Sequence, residues 1–347
     1  MNFFGSIYRV LLLSFIFGSF ASCGPSPQAG GGIGGTGGTA SVASGPITGF
    51  GSVFVSGYEY DTGTTSMMVD GKSGSQSELK KGMVVLVNGT ISEDYGTGQT
   101  VQRTAKTILY EDTIEGPVQS VAPDGLSLVV LGQTVLIKQS TIIDPSVPTL
   151  SSLNPNDLVE VSGFVSGPGT VVATLIDRKG GPADYQVKGF ITQHDESSKS
   201  FTIGSLRVDY TGADIGQMPN PSGNAWTGLL VDVSGSQFSQ GGQGSNGAQL
   251  TATRVKPDSL GTENVPEAEI EGIVTLLISP TEFYIGNVHV QTTSSTGFEN
   301  GTAAEIVPGA TMEVEGPIVN GILIAKQVEF KDSVIVESDM ATLNVGT

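Results

Sequence analysis

The chain has 347 residues, of which 49 are Gly and 17 Pro, and only 14% are charged. Gly and Pro resist helix interiors and charge is well below the usual ~25%, which argues against both a helical bundle and a highly charged disordered chain and leaves an all-β class with Gly-rich turns. With 16 Lys+Arg against 34 Asp+Glu, a net charge of −18 and no basic cluster, the chain lacks the cations that displace counterions from nucleic acid or bind anionic lipid headgroups.

Residues 1–22 read as an export signal: a free amine and Arg9, the apolar run Val10 to Phe17, then small residues at Gly18, Ser19, Ala21 and Ser22. The apolar run is shorter than the ~20 residues of a bilayer span. Phe20-Ala21-Ser22-Cys23-Gly24 resembles a bacterial lipobox, which implies cleavage before Cys23 and lipid attachment to it; Phe20 stands where Leu is usual. The competing reading is cleavage after Ala21, which leaves Cys23 as a free thiol. Cys23 is the only cysteine, so no disulfide forms within the chain. Residues 23–45, rich in Gly, Thr, Ser and Ala, are expected to be a flexible tether. Gly32-Ile33-Gly34-Gly35-Thr36-Gly37 formally matches the dinucleotide fingerprint, yet low-complexity Gly flanks it where a strand and a helix are needed.

Beyond the tether one pattern occurs four times. Its middle part is Gly82-Met83-Val84-Val85-Leu86-Val87-Asn88-Gly89, repeated at Gly228 to Gly235 and at Gly309 to Gly316. In the fourth copy, Asn156 to Gly163, Asn replaces the first Gly, and Asn is the other residue that tolerates positive φ. Each copy follows an apolar-x-Gly strand start at Gly49, Gly116, Gly189 or Gly272, and precedes an Ala-x-x-Ile/Val marker starting at Ala105, Ala173, Ala252 or Ala325. The spacing is that of domains and too long for a solenoid. The expected organisation is β units at 46–112, 113–181, 182–260 and 261–332, with a tail at 333–347 that is either the stub of a further unit or a closing strand.

Within the second unit, strands are expected over Ile114–Val121, Leu126–Leu131, Thr134–Lys138, Leu158–Val165 and Val171–Asp177, with the turn Asp124-Gly125 and a short Leu-bearing segment before the fourth. Five strands in that order predict a small OB-like barrel, so the fold expected is four tandem five-stranded barrels behind a tether; a half-open sandwich is the alternative. Gly49-Phe50-Gly51-Ser52-Val53, Tyr60-Asp61-Thr62, Gly82 to Gly89 and the Ala-x-x-Ile markers resemble the bacterial domain-of-unknown-function family 5666, over most of residues 46–332. The resemblance implies tandem β-rich repeats in exported proteins and lipoproteins, and it carries over no catalytic residue.

Motifs for chemistry are sparse. Asp61-Thr62-Gly63-Thr64 has the aspartic-protease tetrad, but that chemistry needs two carboxylates sharing a proton, the chain has no second Asp-Thr-Gly, and a hairpin turn explains the residues. His194 and His289 fall in different units and are both expected to be solvent-exposed; Gly71-Lys72-Ser73-Gly74 lacks the nucleophile-elbow spacing, and two distant His cannot close a zinc site. The acids Asp70, Glu78, Glu93, Asp94, Asp195 and Glu196 do not form the alternating calcium loop and are expected to be solvated turn residues, so no metal and no cofactor are predicted. Trp226 falls where the other units have Leu79, Leu153 and Ile306, a core register. Tyr58 and Tyr60 alternate along the first hairpin and are the candidate ligand-contact residues; the alternative is packing against the next unit.

The function these readings predict is a non-enzymatic lipoprotein of the bacterial cell envelope, held to the membrane by Cys23 and acting as a structural or protein-interaction module towards an envelope protein or glycan, with no nucleic acid. If bacterial sorting rules apply, Gly24 after the lipidated Cys points to the outer membrane. A carbohydrate- or peptide-binding lipoprotein is the alternative reading, and an aspartic-type protease a remote one.

Overall fold

The structure is a computed structural model that describes residues 38–94, 100–181, 184–241 and 247–331. Cys23 and the signal segment lie outside them, as do most of the tether and the 333–347 tail. Valine-rich alternation and frequent glycine turns produce strands throughout. The first group is β1 (Thr39–Phe50), β2 (Val53–Val55), β3 (Tyr58–Tyr60), β4 (Ser66–Val69), β5 (Lys72–Gly74), β6 (Val84–Asp94) and β7 (Thr100–Tyr110). The second is β8 (Ile114–Val121), β9 (Ser127–Val130), β10 (Gln133–Leu136), β11 (Ile142–Ile143), β12 (Leu158–Gly167) and β13 (Thr170–Arg178). The third is β14 (Tyr185–Asp195), β15 (Ser200–Ile203), β16 (Leu206–Asp209), β17 (Leu230–Ser239) and β18 (Ala248–Pro257). The fourth is β19 (Val265–Ser279), β20 (Glu282–Ile285), β21 (Val288–Glu299), β22 (Thr311–Val319) and β23 (Ile322–Phe330). Helix among the described residues is confined to short 3-10 turns such as Gln76–Glu78 and Ala303–Glu305, each closed by a capping box from Ser75 or Thr302.

The all-β class is as expected, and β19, β20, β21, β23 and β22 pair in that order and return to β19, closing a five-stranded barrel. Pairing follows the same order in β8, β9, β10, β13 and β12, and in β14, β15, β16, β18 and β17. The groups are not independent beads, however. β1 lies between β6, antiparallel, and β19, parallel, which fuses the first group to the fourth. β8 pairs with β14 and fuses the second to the third. Cores follow the sheets: one apolar cluster runs without a break from Ile114 to Val255. Val42 enters the core of the fourth group while its neighbour Ala43 enters that of the first.

Thr39–Gly45 was expected within the tether but forms the first half of β1. Small side chains are what this strand needs. It is flanked on both sides, and a Cβ on Gly45 would collide with the Ser56 hydroxyl. The repeated glycines have distinct physical tasks. Gly82, Gly228 and Gly309 have φ of 88°, 90° and 95°, and Asn156 takes the same place at 75°. The later residues Gly89, Gly163 and Gly235 sit at register shifts, where a Cβ would run into the backbone of the partner strand.

Candidate functional site

Tyr58 and Tyr60 face inward, against the fourth group. Tyr60 is 1% exposed, and its hydroxyl donates to Glu269 Oε2 at 2.7 Å, so it is unavailable to an outside ligand. Tyr58 donates to Glu315, and the Arg103 guanidinium lies 4.1 Å from its ring centroid. Arg103 in turn donates Nη2 and Nε to Glu269 Oε1 at 2.7 and 3.1 Å. Burial first, and the neighbouring carboxylates second, push both phenols well above their ordinary pKa. Of the two readings of these tyrosines, packing against another unit is the one the geometry favours.

Asp61 is exposed at the turn that leaves β3, where its Oδ1 accepts from the Gly63 amide at 2.9 Å; β3 and β4 do not pair, so this turn is a link between strands and not the expected hairpin. His194 departs from expectation. It is 7% exposed, stacks on Trp226 with centroids 4.6 Å apart, and its Nε2 is 2.9 Å from the Tyr210 hydroxyl. The polar neighbours Gln193, Asp195 and Glu196 hide this, because the ring is covered by residues from a distant loop. Burial lowers its pKa. Trp226 is fully buried and donates Nε1–H to the Pro219 carbonyl at 2.8 Å. His289 is half-buried, stacks on Tyr284 and is 2.8 Å from Glu282.

Most of the turn acids have local tasks. Glu78 caps its 3-10 turn, and Glu196 accepts from the Gly223 amide. Asp195 is held at a pKa of about 2 by the Ser198 and Ser197 hydroxyls. The side chains of Glu93 and Asp94 lie outside the described residues. Asp70 is different. Carboxylate oxygens of Asp70, Asp112 and Glu160 all lie within 4.8 Å of one another.

All four strand groups converge on a cavity of about 330 Å³ whose walls include Tyr110, Phe164, Lys188, Lys256, Asp258 and Glu271. Lys256 bridges Glu111, at 2.6 Å, and Asp232, at 3.3 Å; Lys188 lies 3.7 Å from Asp258. Burial pushes the pKa of Asp232 up to about 6. Burial works against the charge on Lys188, but Asp258, Asp232 and Glu111 outweigh it and raise its pKa. These residues were not singled out from the sequence, although a signal was present. Glu160, Asp232 and Glu313 occupy one register position of the repeated motif, between two apolar residues of the strand, and the first copy has Leu86 there. A charge recurring on the strand face opposite the core residues marks a covered, partnered acid; Glu160, Asp232 and Glu313 pair with Lys179, Lys256 and Lys331.

Residues 115–177 and 271–329 match a family described as Domain of unknown function (DUF5666), the family that the sequence motifs resemble. The two matches fall on β8–β13 and β19–β23. No curated protein matches the chain.

Proposed function

We propose that this chain is a non-enzymatic lipoprotein of the bacterial cell envelope, anchored through Cys23, whose folded body is a structural and protein-interaction module. The observation that carries the interaction reading is the β19–β20 hairpin. Its ascending strand exposes three consecutive apolar residues, Leu276 at 53%, Leu277 at 37% and Ile278 at 52%. Single exposed apolar side chains are ordinary, whereas a run of three at a hairpin tip fits contact with a partner. Fused sheets and buried ion pairs such as Arg103–Glu269 support the structural half of the reading, since they give the hairpin a rigid base.

The test is a photo-crosslinking residue at position 277 in intact cells. A discrete adduct with one envelope protein, absent when the probe is at exposed Leu126 of the second group, is the expected result. Equal labelling at both positions, or none at 277, would refute the interaction reading. For the anchor, Cys23→Ala is expected to abolish palmitate labelling and release the chain from membranes; membrane retention unchanged in the variant refutes lipid attachment.

The central cavity favours a second reading, a small-ligand-binding lipoprotein. Its volume is within the range of ligand sites, and Lys188, Lys256 and Asp258 converge on it. A library of oligosaccharides and short peptides that leaves melting unchanged would remove it.

A further inference from the structure

We propose that Asp70, Asp112 and Glu160 form a binding site for calcium at the joint between the first and second strand groups. The three side chains come from separate places in the fold. Asp70 is in the tight β4–β5 turn, Asp112 in the link between β7 and β8, and Glu160 on β12. Their carboxylate oxygens lie within 4.8 Å of one another. Three oxygens at that limit lie at most about 2.8 Å from a common centre, so side-chain shifts of a few tenths of an ångström bring all three to the roughly 2.3–2.6 Å of calcium–oxygen bonds.

A cluster of acids alone is common on protein surfaces. What distinguishes this one is Asp112, which has no exposed surface and whose Oδ2 has no hydrogen-bond partner. Its Oδ1 accepts from the Tyr110 hydroxyl at 2.5 Å, and its amide donates to Asp70 Oδ1 at 3.3 Å. Those bonds orient the two carboxylates and leave Oδ2 as a buried acceptor among other acceptors. Outer hydrogen bonds that fix a ligating carboxylate are a regular property of metal sites.

The charge balance points the same way. Glu115 adds a fourth acid close by, and Lys179, paired with both Glu160 and Glu115, is the cation these acids share. Taken as ionised, four carboxylates against Lys179 and Lys188, which also acts on Asp112, leave two negative charges in a largely buried space. A divalent cation neutralises what protons would otherwise have to. All the donors are oxygens, and they come from three separate elements of the fold rather than from a preset octahedron. That suits calcium better than magnesium, and better than zinc or copper, which favour nitrogen and sulfur.

The test uses the full chain, stripped with chelator and dialysed. Terbium, a luminescent stand-in for calcium, is titrated with excitation of the tyrosines, because Tyr110 touches Asp112. Expected are one terbium bound per chain, displacement by about 1 mM calcium but not by equal magnesium, and a calcium-dependent rise in Tm. Asp112→Asn should keep the fold and weaken terbium binding by at least about tenfold. Glu160→Gln, which leaves Lys179 paired with Glu115, provides the same reading should Asp112→Asn fail to fold. Absence of terbium binding and of a calcium-dependent Tm shift in the parent chain overturns the site, as does a full response in the folded variants. Equal displacement by magnesium overturns the assignment to calcium.

Discussion

Arg103 on β7 and Glu269 on β19 hold the first and fourth strand groups together: two guanidinium nitrogens meet one carboxylate oxygen, and Tyr60 holds the other. Both side chains are largely buried, at 18% and 8% exposure, so the ions are shielded from solvent screening.

Removing the cation strands the acid. Arg103→Ala should cost about 3–5 kcal/mol in urea unfolding, and adding Glu269→Ala should recover part of that loss. Additive losses would show that the pair is not coupled.

The bulge glycine should be less tolerant than the turn residue. A Cβ at position 163 would meet the Val172 carbonyl, so Gly163→Ala should cost about 2 kcal/mol or more. Asn156→Gly relieves an L-residue held at φ 75° and should stabilise by about 0.5 kcal/mol. Chemical denaturation of the two variants side by side checks both signs.

Trp226 is the only tryptophan, so its fluorescence reports the third group alone. It is fully buried between His194 and Tyr210. Trp226→Ala should cost about 3–5 kcal/mol and Trp226→Phe less. Near-wild-type melting of the alanine variant would contradict that packing.

Glu313 and Asp232 set the pH response near neutrality. Burial raises Glu313 to a pKa of about 7 and Asp232 to about 6, so between about pH 4 and 7 these two acids bind more protons in the folded chain than in the unfolded one. Stability should therefore rise as pH falls from 8 towards 5.5, opposed below about 6.5 by His194, whose buried ring resists protonation. Glu313→Gln removes one of the two raised acids, while Lys331 keeps Glu329 at 2.6 Å. The variant should melt about 2 °C higher at pH 8 and lose much of the slope. A Tm profile from pH 5 to 8 on both proteins decides it.

The repeat was legible because its determinants are local. A turn with positive φ accepts Gly or Asn, and a bulge accepts Gly, so the glycines of the motif report backbone geometry directly. Which groups share a sheet was not legible. Ser41 meets Glu267 across more than two hundred residues, and neither segment carries a mark of its partner. The acids followed the same division. Asp195 and Glu78 act within their own turns, as sequence suggests. Asp70 looks identical in sequence, yet its neighbours Asp112 and Glu160 arrive from other strands. His194 follows the same rule: only folding brings Trp226 and Tyr210 over its ring.

The placement of β1 has a mechanical consequence. A pull on the chain ahead of Thr39 acts along a strand bonded on one edge to β6 and on the other to β19. Such a load is borne in shear by both rows of hydrogen bonds at once and cannot unzip them one at a time. Tension arriving from the N-terminal side would be shared between the first and fourth groups before either was peeled open.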